Sequence, residues 1–289
     1  MIGKLFATGL KFCVSRILRI AVALLGLKVS LSEIAALGFS TALLVICAMV
    51  ATIAAGFALA RVIGLSRSFG ALAGCATAIC GASAALATSS VLPSSPSKDA
   101  DTVFVIVAVN LLSTVAMLAY PPLGQALGFD DLHTGILIGG SIHDVAQVVG
   151  AGYAVSETAG ATAVIVKLFR VLLLLPAILI IGRLFIGGGE GAKVPVPVFA
   201  FGFLALCLVN SFIAFAPALQ PIYAPVKSLM NDLSAWGLLI AIAALGLNTS
   251  VKSIAQLGWR HVLVVSGTTL VILAVVAGGL VLETRFGLQ

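Results

Sequence analysis

The chain has 289 residues, of which 61% are hydrophobic and 9% are charged, and its mean hydropathy is +1.22. A soluble domain of this length carries about a quarter charged residues, so the composition excludes a soluble globular fold and predicts an integral membrane protein. The formal net charge of +6 does not point to nucleic acid. The basic residues are scattered over short loops and form no stripe that could follow phosphates.

Apolar stretches of about 20 residues predict transmembrane helices, because a helix satisfies its own backbone hydrogen bonds in the absence of water. The sequence predicts about nine spans and therefore an all-α polytopic membrane protein. Since the links are short, we expect one transmembrane domain over residues 1–289. The spans run approximately over Leu10–Leu27, Ser40–Ala60, Phe69–Val91, Thr102–Ala119, Thr134–Gly152, Gly160–Ile181, Val198–Ala216, Leu233–Leu247 and Arg260–Leu282.

The basic residues of the loops predict the orientation. In the nine-span arrangement eight Lys and Arg residues lie on the side of the N-terminus and four on the other, which favours a cytoplasmic N-terminus. Arg16 and Arg19 interrupt the first apolar run, and no signal-peptidase site follows Gly26. We therefore expect this segment to be a retained helix.

A repeat joins two distant parts of the chain. The segment LGLKVSLSEIAALG, Leu25–Gly38, aligns without a gap on LGLNTSVKSIAQLG, Leu245–Gly258, with eight of 14 positions identical. The two copies end the first and the eighth predicted spans, so they should run in opposite directions. Repeat-related elements are expected around residues 16–91 and 233–282. Inverted repeats are typical of secondary transporters, which place a site between the halves near the bilayer midplane.

The third span is made almost entirely of small residues. In GALAGCATAICGASAALATSS, 18 of 21 residues are Gly, Ala, Ser, Thr or Cys. Small side chains allow a tight helix crossing. Alternatively, Gly81 interrupts the helix and exposes the backbone amides of Ala82 and Ser83. Both interpretations stay open, and both can hold at once.

The stretch GGSIHDVAQVVGAG places polar groups inside the fifth span. Gly139 and Gly140 can break a helix, and Ser141-Ile-His-Asp144 matches a capping box in which Ser141 would cap a new helix. A helix starting inside the membrane offers its free N–H groups and positive dipole end to an anion. Asp144 could instead carry a coupling proton with His143. The alternative is an ordinary helix whose His143 and Gln147 bond to a neighbour.

The sixth span contains two cations, Lys167 and Arg170, which lie on nearly the same helix face. Lys167 could reach the interface with its long side chain, whereas Arg170 lies near the middle of the span. Ionised groups at that depth are costly unless they serve a function. The two cations therefore suggest an anion site, and the alternative is pairing with Asp144 or with helix carbonyls.

These stretches resemble the YeiH-type family of bacterial inner-membrane proteins, whose family label names them as sulfate exporters. The resemblance implies a multi-pass inner-membrane transporter and an anionic substrate of sulfate type. It spans nearly the whole chain in order, and it rests on Ile17–Ser30, AICGASA at Ala78–Ala84, GGSIHDVAQVVGAG at Gly139–Gly152, VIVKLFRVLLLLP at Val164–Pro176, VPVFAFGF at Val196–Phe203 and AALGLNTS at Ala243–Ser250.

The sequence thus predicts a secondary transporter that moves a small oxyanion by alternating access, with Asp144 and His143 in proton coupling. The alternative is a cation/proton antiporter that uses Asp144. An enzyme is disfavoured, because neighbouring residues such as His143 and Asp144 lie about 100° apart on a helix and make a poor catalytic pair. We expect no metal or cofactor, and a homodimer is left open. The predicted substrate-binding residues are Gly81, Ala82, Ser83, Gly140, Ser141, His143, Gln147, Lys167 and Arg170.

Overall fold

The computed structural model describes residues 6–27, 35, 38–186, 198–214, 219–248 and 258–286. Within these ranges the regular structure is helical and no strand occurs, which confirms the predicted all-α class. A π-helical turn joins the first two α-helices and a 3-10 turn follows the second. In chain order the α-helices are α1 (Ala7–Phe12), α2 (Leu18–Leu24), α3 (Gly38–Ile63), α4 (Arg67–Ala78), α5 (Ala82–Val91), α6 (Lys98–Ala126), α7 (Asp131–Ser141), α8 (Val145–Val155), α9 (Glu157–Leu172), α10 (Leu174–Ile186), α11 (Val198–Ala214), α12 (Gln220–Asn248) and α13 (Trp259–Phe286).

The predicted spans agree with these helices. Each of them falls, within the described residues, on one helix or on consecutive helices. Four helical stretches are by themselves long and apolar enough to cross a membrane: Gly38–Ile63, Lys98–Ala126, Glu157–Phe185 and Trp259–Arg285. The third and fifth spans differ from these four, because each is divided into two short helices in its middle. The protein is therefore a polytopic membrane protein with two broken helices.

The chain divides into two compact units. A small unit comprises Met1–Gly38 and Pro197–Ser250, and a large unit comprises Phe39–Val196 and Val251–Gln289. Inside the small unit α2 packs closely on α11 and α12. The Ser234 hydroxyl donates to the carbonyl of Ala21 at 2.8 Å, and a Cβ added at Gly26 would overlap the backbone of Phe203.

Glycines let two backbones of the large unit touch. A Cβ built on Gly56 in α3 would lie 2.5 Å from the carbonyl oxygen of Gly70 and 2.8 Å from the Cα of Gly74, both in α4. Only residues without a side chain permit such an approach. The tight crossing predicted for the small-residue span is thus present in α4. The predicted interruption follows at Gly81, so both interpretations of this span are correct.

A proline separates α9 from α10. Pro176 has no N–H to donate to the carbonyl of Leu172, and its ring crowds that carbonyl. The α9 helix accordingly ends at Leu172, and Leu173 forms a turn before α10 begins. Lys167 and Arg170 therefore lie in the last two turns of α9, on a helix that is buried along most of its length.

The predicted inverted repeat concerns segments that are largely outside the described residues. Most of Leu25–Gly38 and of Leu245–Gly258 is affected, including Ser32 and Ser253, whose sidedness would test the relation. Opposite orientation of the two copies stays a prediction.

Candidate functional site

The first broken helix is divided at Gly81. Its first half, α4, ends at Ala78, and its second half, α5, begins at Ala82. Gly81 has φ 61° and ψ −122°, a conformation that a residue with a Cβ adopts only under strain. The glycine of AICGASA is thus the point at which the helix breaks, as the sequence predicted.

The second broken helix is divided three residues later than the sequence predicted. Gly139, Gly140 and Ser141 all belong to α7, and the Ser141 hydroxyl donates to the carbonyl of Leu137 in the same helix. The cap of α8 is Asp144, whose Oδ1 accepts from the N–H of Ala146 at 2.8 Å. The prediction that Ser141 caps the new helix is therefore wrong.

Gly139 and Gly140 allow close packing of α7 and do not interrupt the helix. A Cβ at Gly139 would overlap the backbone of Ala163 in α9, so α7 and α9 touch through their main chains. At Gly140 a Cβ would lie 3.1 Å from the side chain of Val276 in α13. Both positions are buried, and α7 continues through them to Ser141.

The two breaks lie next to each other. A Cβ on Gly81 would stand 3.7 Å from the carbonyl oxygen of His143 and 3.8 Å from the side chain of Val109. The Asp144 N–H donates at 3.1 Å to the hydroxyl of Ser113 on α6, between the two broken helices in sequence. The predicted approach of AICGASA and GGSIHDV is confirmed, while a polar cavity between them stays a prediction.

Arg170 joins the carbonyl ends of both first halves. Its Nε donates to Ala78 O and its Nη2 to Thr77 O, both in α4 and both at 2.9 Å. Its Nη1 donates at 2.9 Å to Gly139 O in α7 and to Ile142 O just beyond it. One buried guanidinium thereby binds four main-chain oxygens from two helix ends.

Lys167 completes the same arrangement one turn earlier on α9. Its ammonium donates to Ile79 O at 2.6 Å, to Ile142 O at 2.9 Å and to His143 O. These three bonds use every hydrogen of the ammonium group. The two cations, both fully buried, neutralise the negative ends of the α4 and α7 dipoles.

Of the alternatives weighed for these cations, the structure shows the one with helix carbonyls. In the described ranges neither Lys167 nor Arg170 forms an ion pair, and Asp144 has no cationic nitrogen within 4.0 Å. Their direct contact with a substrate stays a prediction. The carbonyl bonds indicate that Lys167 and Arg170 fix the carboxyl ends of α4 and α7 relative to each other.

The amino ends of the two second halves differ. The cap residue of α5 is Gly81, which has no side chain to bond the first turn, and Ala82 and Ser83 are half-buried. The first main-chain bond of the helix runs from Ala85 N to Gly81 O, and the Ala84 N–H bonds to the Cys80 thiol. The N–H groups of Ala82 and Ser83 are therefore the ones not used inside the helix. The amino end of α8, by contrast, carries the Asp144 cap.

The remaining predicted residues are buried and hydrogen-bonded. His143 Nε2 lies 3.0 Å from Thr269 Oγ1 on α13. Because the Thr269 hydroxyl donates to Val265 O at 2.9 Å, it accepts from His143. Gln147 donates through Nε2 to Asn110 Oδ1 at 3.2 Å and to Thr114 Oγ1 at 3.4 Å.

Sequence reasoning missed the polar groups that face the breaks. Asn110, Ser113 and Thr114 on α6 share a helix face, and Thr268 and Thr269 lie on α13. The Thr268 hydroxyl lies 2.9 Å from that of Thr77. An Asn followed by Ser and Thr at helical spacing inside the apolar run VFVIVAVNLLSTVAM was the signal available.

The fold and the site define a polytopic α-helical membrane protein with two adjoining broken helices. The chain belongs to the family described as conserved hypothetical protein 698, whose model matches residues 2–265. This membership fits the resemblance to YeiH-type proteins.

Its curated relatives are named UPF0324 membrane proteins. The TauZ protein of Paracoccus denitrificans is 40% identical over 284 residues, which cover 96% of this chain and 82% of the relative. A relative from Rhizobium meliloti is 42% identical, covering 96% of this chain and 79% of its own. A relative from Chlorobaculum tepidum is 39% identical, and the match covers 94% of this chain and 76% of the relative. No solved structure matches.

Proposed function

We propose that the chain is a secondary transporter, not an enzyme, that moves a small inorganic or organic oxyanion of sulfate or sulfonate type across the bacterial inner membrane by alternating access. Two broken helices support this proposal. Irregular backbone in the middle of an apolar span is stable only where protein or a water-filled cavity satisfies it, and transporters use such breaks for binding.

The observation that carries the anionic substrate is an asymmetry of charge. Lys167 and Arg170 occupy the carbonyl ends of α4 and α7, so those ends have little attraction left for a cation. The amino end of α5 begins at a glycine, and Ala82 and Ser83 are only half-buried. The N–H groups of these two residues and the positive dipole end favour an anion. We assign Gly81, Ala82 and Ser83 as the primary contacts.

The other predicted binding residues take supporting roles in this proposal. His143 presents its main chain to Gly81, while Lys167 and Arg170 add positive charge behind the breaks. A sulfate oxygen that enters would have to reach Ser141 or Gly140 by displacing buried contacts. Contact with those two residues and with Gln147 is therefore expected only in a rearranged state.

The rival function is a cation/proton antiporter that uses Asp144. It is favoured by one observation, the absence of a cationic nitrogen within 4.0 Å of the Asp144 carboxylate among the described residues. In an oxyanion transporter the same carboxylate can carry the coupling ion, whether a proton or a metal cation.

Uptake of radiolabelled sulfate into proteoliposomes tests the proposed function. The purified protein should take up sulfate above the level of protein-free liposomes, and unlabelled sulfonates should compete. The control variant Arg183→Ala changes an exposed cation of α10 and should take up sulfate normally. Flux of sodium or protons without any anion flux would overturn the proposal in favour of the antiporter.

A further inference from the structure

A cluster of polar side chains surrounds the amino end of α8. Asp144 caps this helix and Gln147 occupies its third position, so the two side chains are neighbours on the first turn. From α6, the side chains of Asn110, Ser113 and Thr114 reach the same turn. The three α6 residues are spaced three and four apart and therefore share one face.

The hydrogen bonds of this cluster leave one fully buried oxygen without a partner among the described residues. Both N–H groups of the Gln147 amide point to α6, toward Asn110 Oδ1 at 3.2 Å and Thr114 Oγ1 at 3.4 Å. The opposite atom, Gln147 Oε1, is buried and has no hydrogen-bond partner in the part of the chain that the structure describes. Gln147 itself is 0% exposed. An unpaired buried acceptor is costly, so this oxygen is suited to a donor or a cation.

The carboxylate beside it forms no ion pair with another described residue. Asp144 Oδ1 accepts one bond, from Ala146 N, and in the described ranges no Lys, Arg or His nitrogen lies within 4.0 Å of the carboxylate. Lys167 and Arg170 act on this carboxylate only through their charge at longer range, because Lys167 donates its three hydrogens to carbonyls and Arg170 binds four carbonyls, of which Ile142 O is shared with Lys167.

We infer that the cluster binds a monovalent cation, with Na⁺ as the probe, between the Asp144 carboxylate and Gln147 Oε1. One carboxylate matches one positive charge, and carboxylate, amide and hydroxyl oxygens are the ligands that hard cations prefer. Asn110 and Thr114 would act as positioning residues that turn Gln147 Oε1 toward the ion. The inference deepens the proposed function, on which it rests for the role of the ion in coupling, and it gives Gln147 a cation instead of the anion as its ligand.

Thermal unfolding of the full chain in detergent tests the site without any transport. Replacing choline chloride by sodium chloride at constant ionic strength should raise the wild-type Tm by about 4 °C at saturation. An ion that binds only the folded state stabilises that state. Asp144→Asn and Gln147→Met should lose the shift or require about tenfold more Na⁺, the factor that corresponds to one lost ligand bond. Gln147→Glu retains an oxygen ligand and should keep the response.

The matched control is Gln125→Met, the same substitution at an exposed position of the same helix as Asn110, which should respond like the wild type. A wild-type Tm that is the same in sodium and choline, or a sodium response that survives in both Gln147→Met and Asp144→Asn, would overturn the inference. Should Gln147→Met fail to fold, the sodium responses of Gln147→Glu and Asp144→Asn are compared instead. The inference then requires that Gln147→Glu keeps the sodium shift and that Asp144→Asn loses it.

Sulfate uptake by the same preparations separates this inference from the proposed function. A Na⁺ gradient at equal pH should increase uptake by wild type and not by Asp144→Asn. Uptake that follows only the pH gradient, with no sodium response in unfolding, would overturn the Na⁺ site and leave the oxyanion transporter intact. A sodium shift with no sulfate uptake in any medium would overturn the transporter instead.

Discussion

The two broken helices end alike and restart differently. Both first halves direct their carbonyl ends at Lys167 and Arg170, which bind oxygens on either side. The second halves diverge, since α5 begins at Gly81 without a side-chain cap and α8 begins at the Asp144 carboxylate. The protein itself thus satisfies the negative ends, whereas one positive end has no side-chain cap from its cap residue and is where we propose that the oxyanion binds.

Removing the shared cation should have the largest effect. Arg170→Ala leaves the carbonyls of Thr77, Ala78 and Gly139 without their charged donor. We expect a loss of at least about 3 kcal/mol, as for other broken buried charge networks. The Tm in detergent and the yield of monodisperse protein measure this loss. Arg183→Ala is the matched control at an exposed site. A wild-type Tm for Arg170→Ala would show that the ends do not depend on this cation.

The break at Gly81 should be intolerant of a side chain for conformational reasons. Gly81→Ala meets only ordinary contacts, the nearest at 3.7 Å from His143 O, so its cost arises from the backbone and should be about 1–3 kcal/mol. Gly128→Ala is the comparison, because Gly128 also has a positive φ of 73° with open space around it. Gly128→Ala should lose a comparable Tm and keep its sulfate uptake. If Gly81→Ala has the wild-type Tm and takes up sulfate as well as Gly128→Ala does, the break does not require this glycine.

Substitutions at Asp144 and Ser141 test which of the two residues caps α8. Asp144→Ala should lower the free energy of unfolding by about 0.5–2 kcal/mol, and Asp144→Asn by less, because Asn also caps a helix. Ser141→Ala should change stability by less than about 0.5 kcal/mol, since Ser141 only bonds within its own helix. Chemical or thermal unfolding of the three variants measures the order. A larger loss for Ser141→Ala than for Asp144→Ala would restore Ser141 as the cap.

Removing the Asp130 cap at the amino end of α7 should have the smallest effect on stability. Burial would raise the pKa of Asp130, but bonds from His133 and Leu132 outweigh it and hold the pKa below its usual range. A carboxyl whose folded pKa is depressed contributes stability above its unfolded pKa, and this contribution is lost as the pH falls through the folded value. Asp130→Asn should therefore flatten the decline of Tm below about pH 4. An unchanged acid decline in Asp130→Asn would contradict this assignment.

The sequence was sufficient for features that depend on local pattern. Hydropathy predicted the all-α class and, within the described residues, the stretches that are helical. The small residues around Gly81 predicted both a close crossing and a break. Ser141 misled because Ser-x-x-Asp is a valid local cap, whereas the position of the break depends on tertiary contacts. Gly139 packs on the backbone of Ala163, and α7 continues through both glycines to Ser141.

The partners of Lys167 and Arg170 could not be predicted either. They are main-chain carbonyls up to 93 residues away along the chain, and a carbonyl carries no sequence signal. For the same reason the orientation of Gln147 toward Asn110 became visible only when α6 and α8 were placed side by side.

The most direct test of the central claim introduces a charge at the open amino end of α5. Ala82→Asp places a carboxylate where we propose that the oxyanion binds, and an acidic residue in the first turn favours the helix dipole. We expect an unchanged or higher Tm and a sulfate uptake reduced at least about tenfold, which corresponds to about 1.4 kcal/mol in binding free energy. Ala82→Asn introduces a side chain of the same shape as Asp but without its charge, and it should retain most of the uptake. Normal sulfate uptake by a folded Ala82→Asp protein would contradict an anion site at this end.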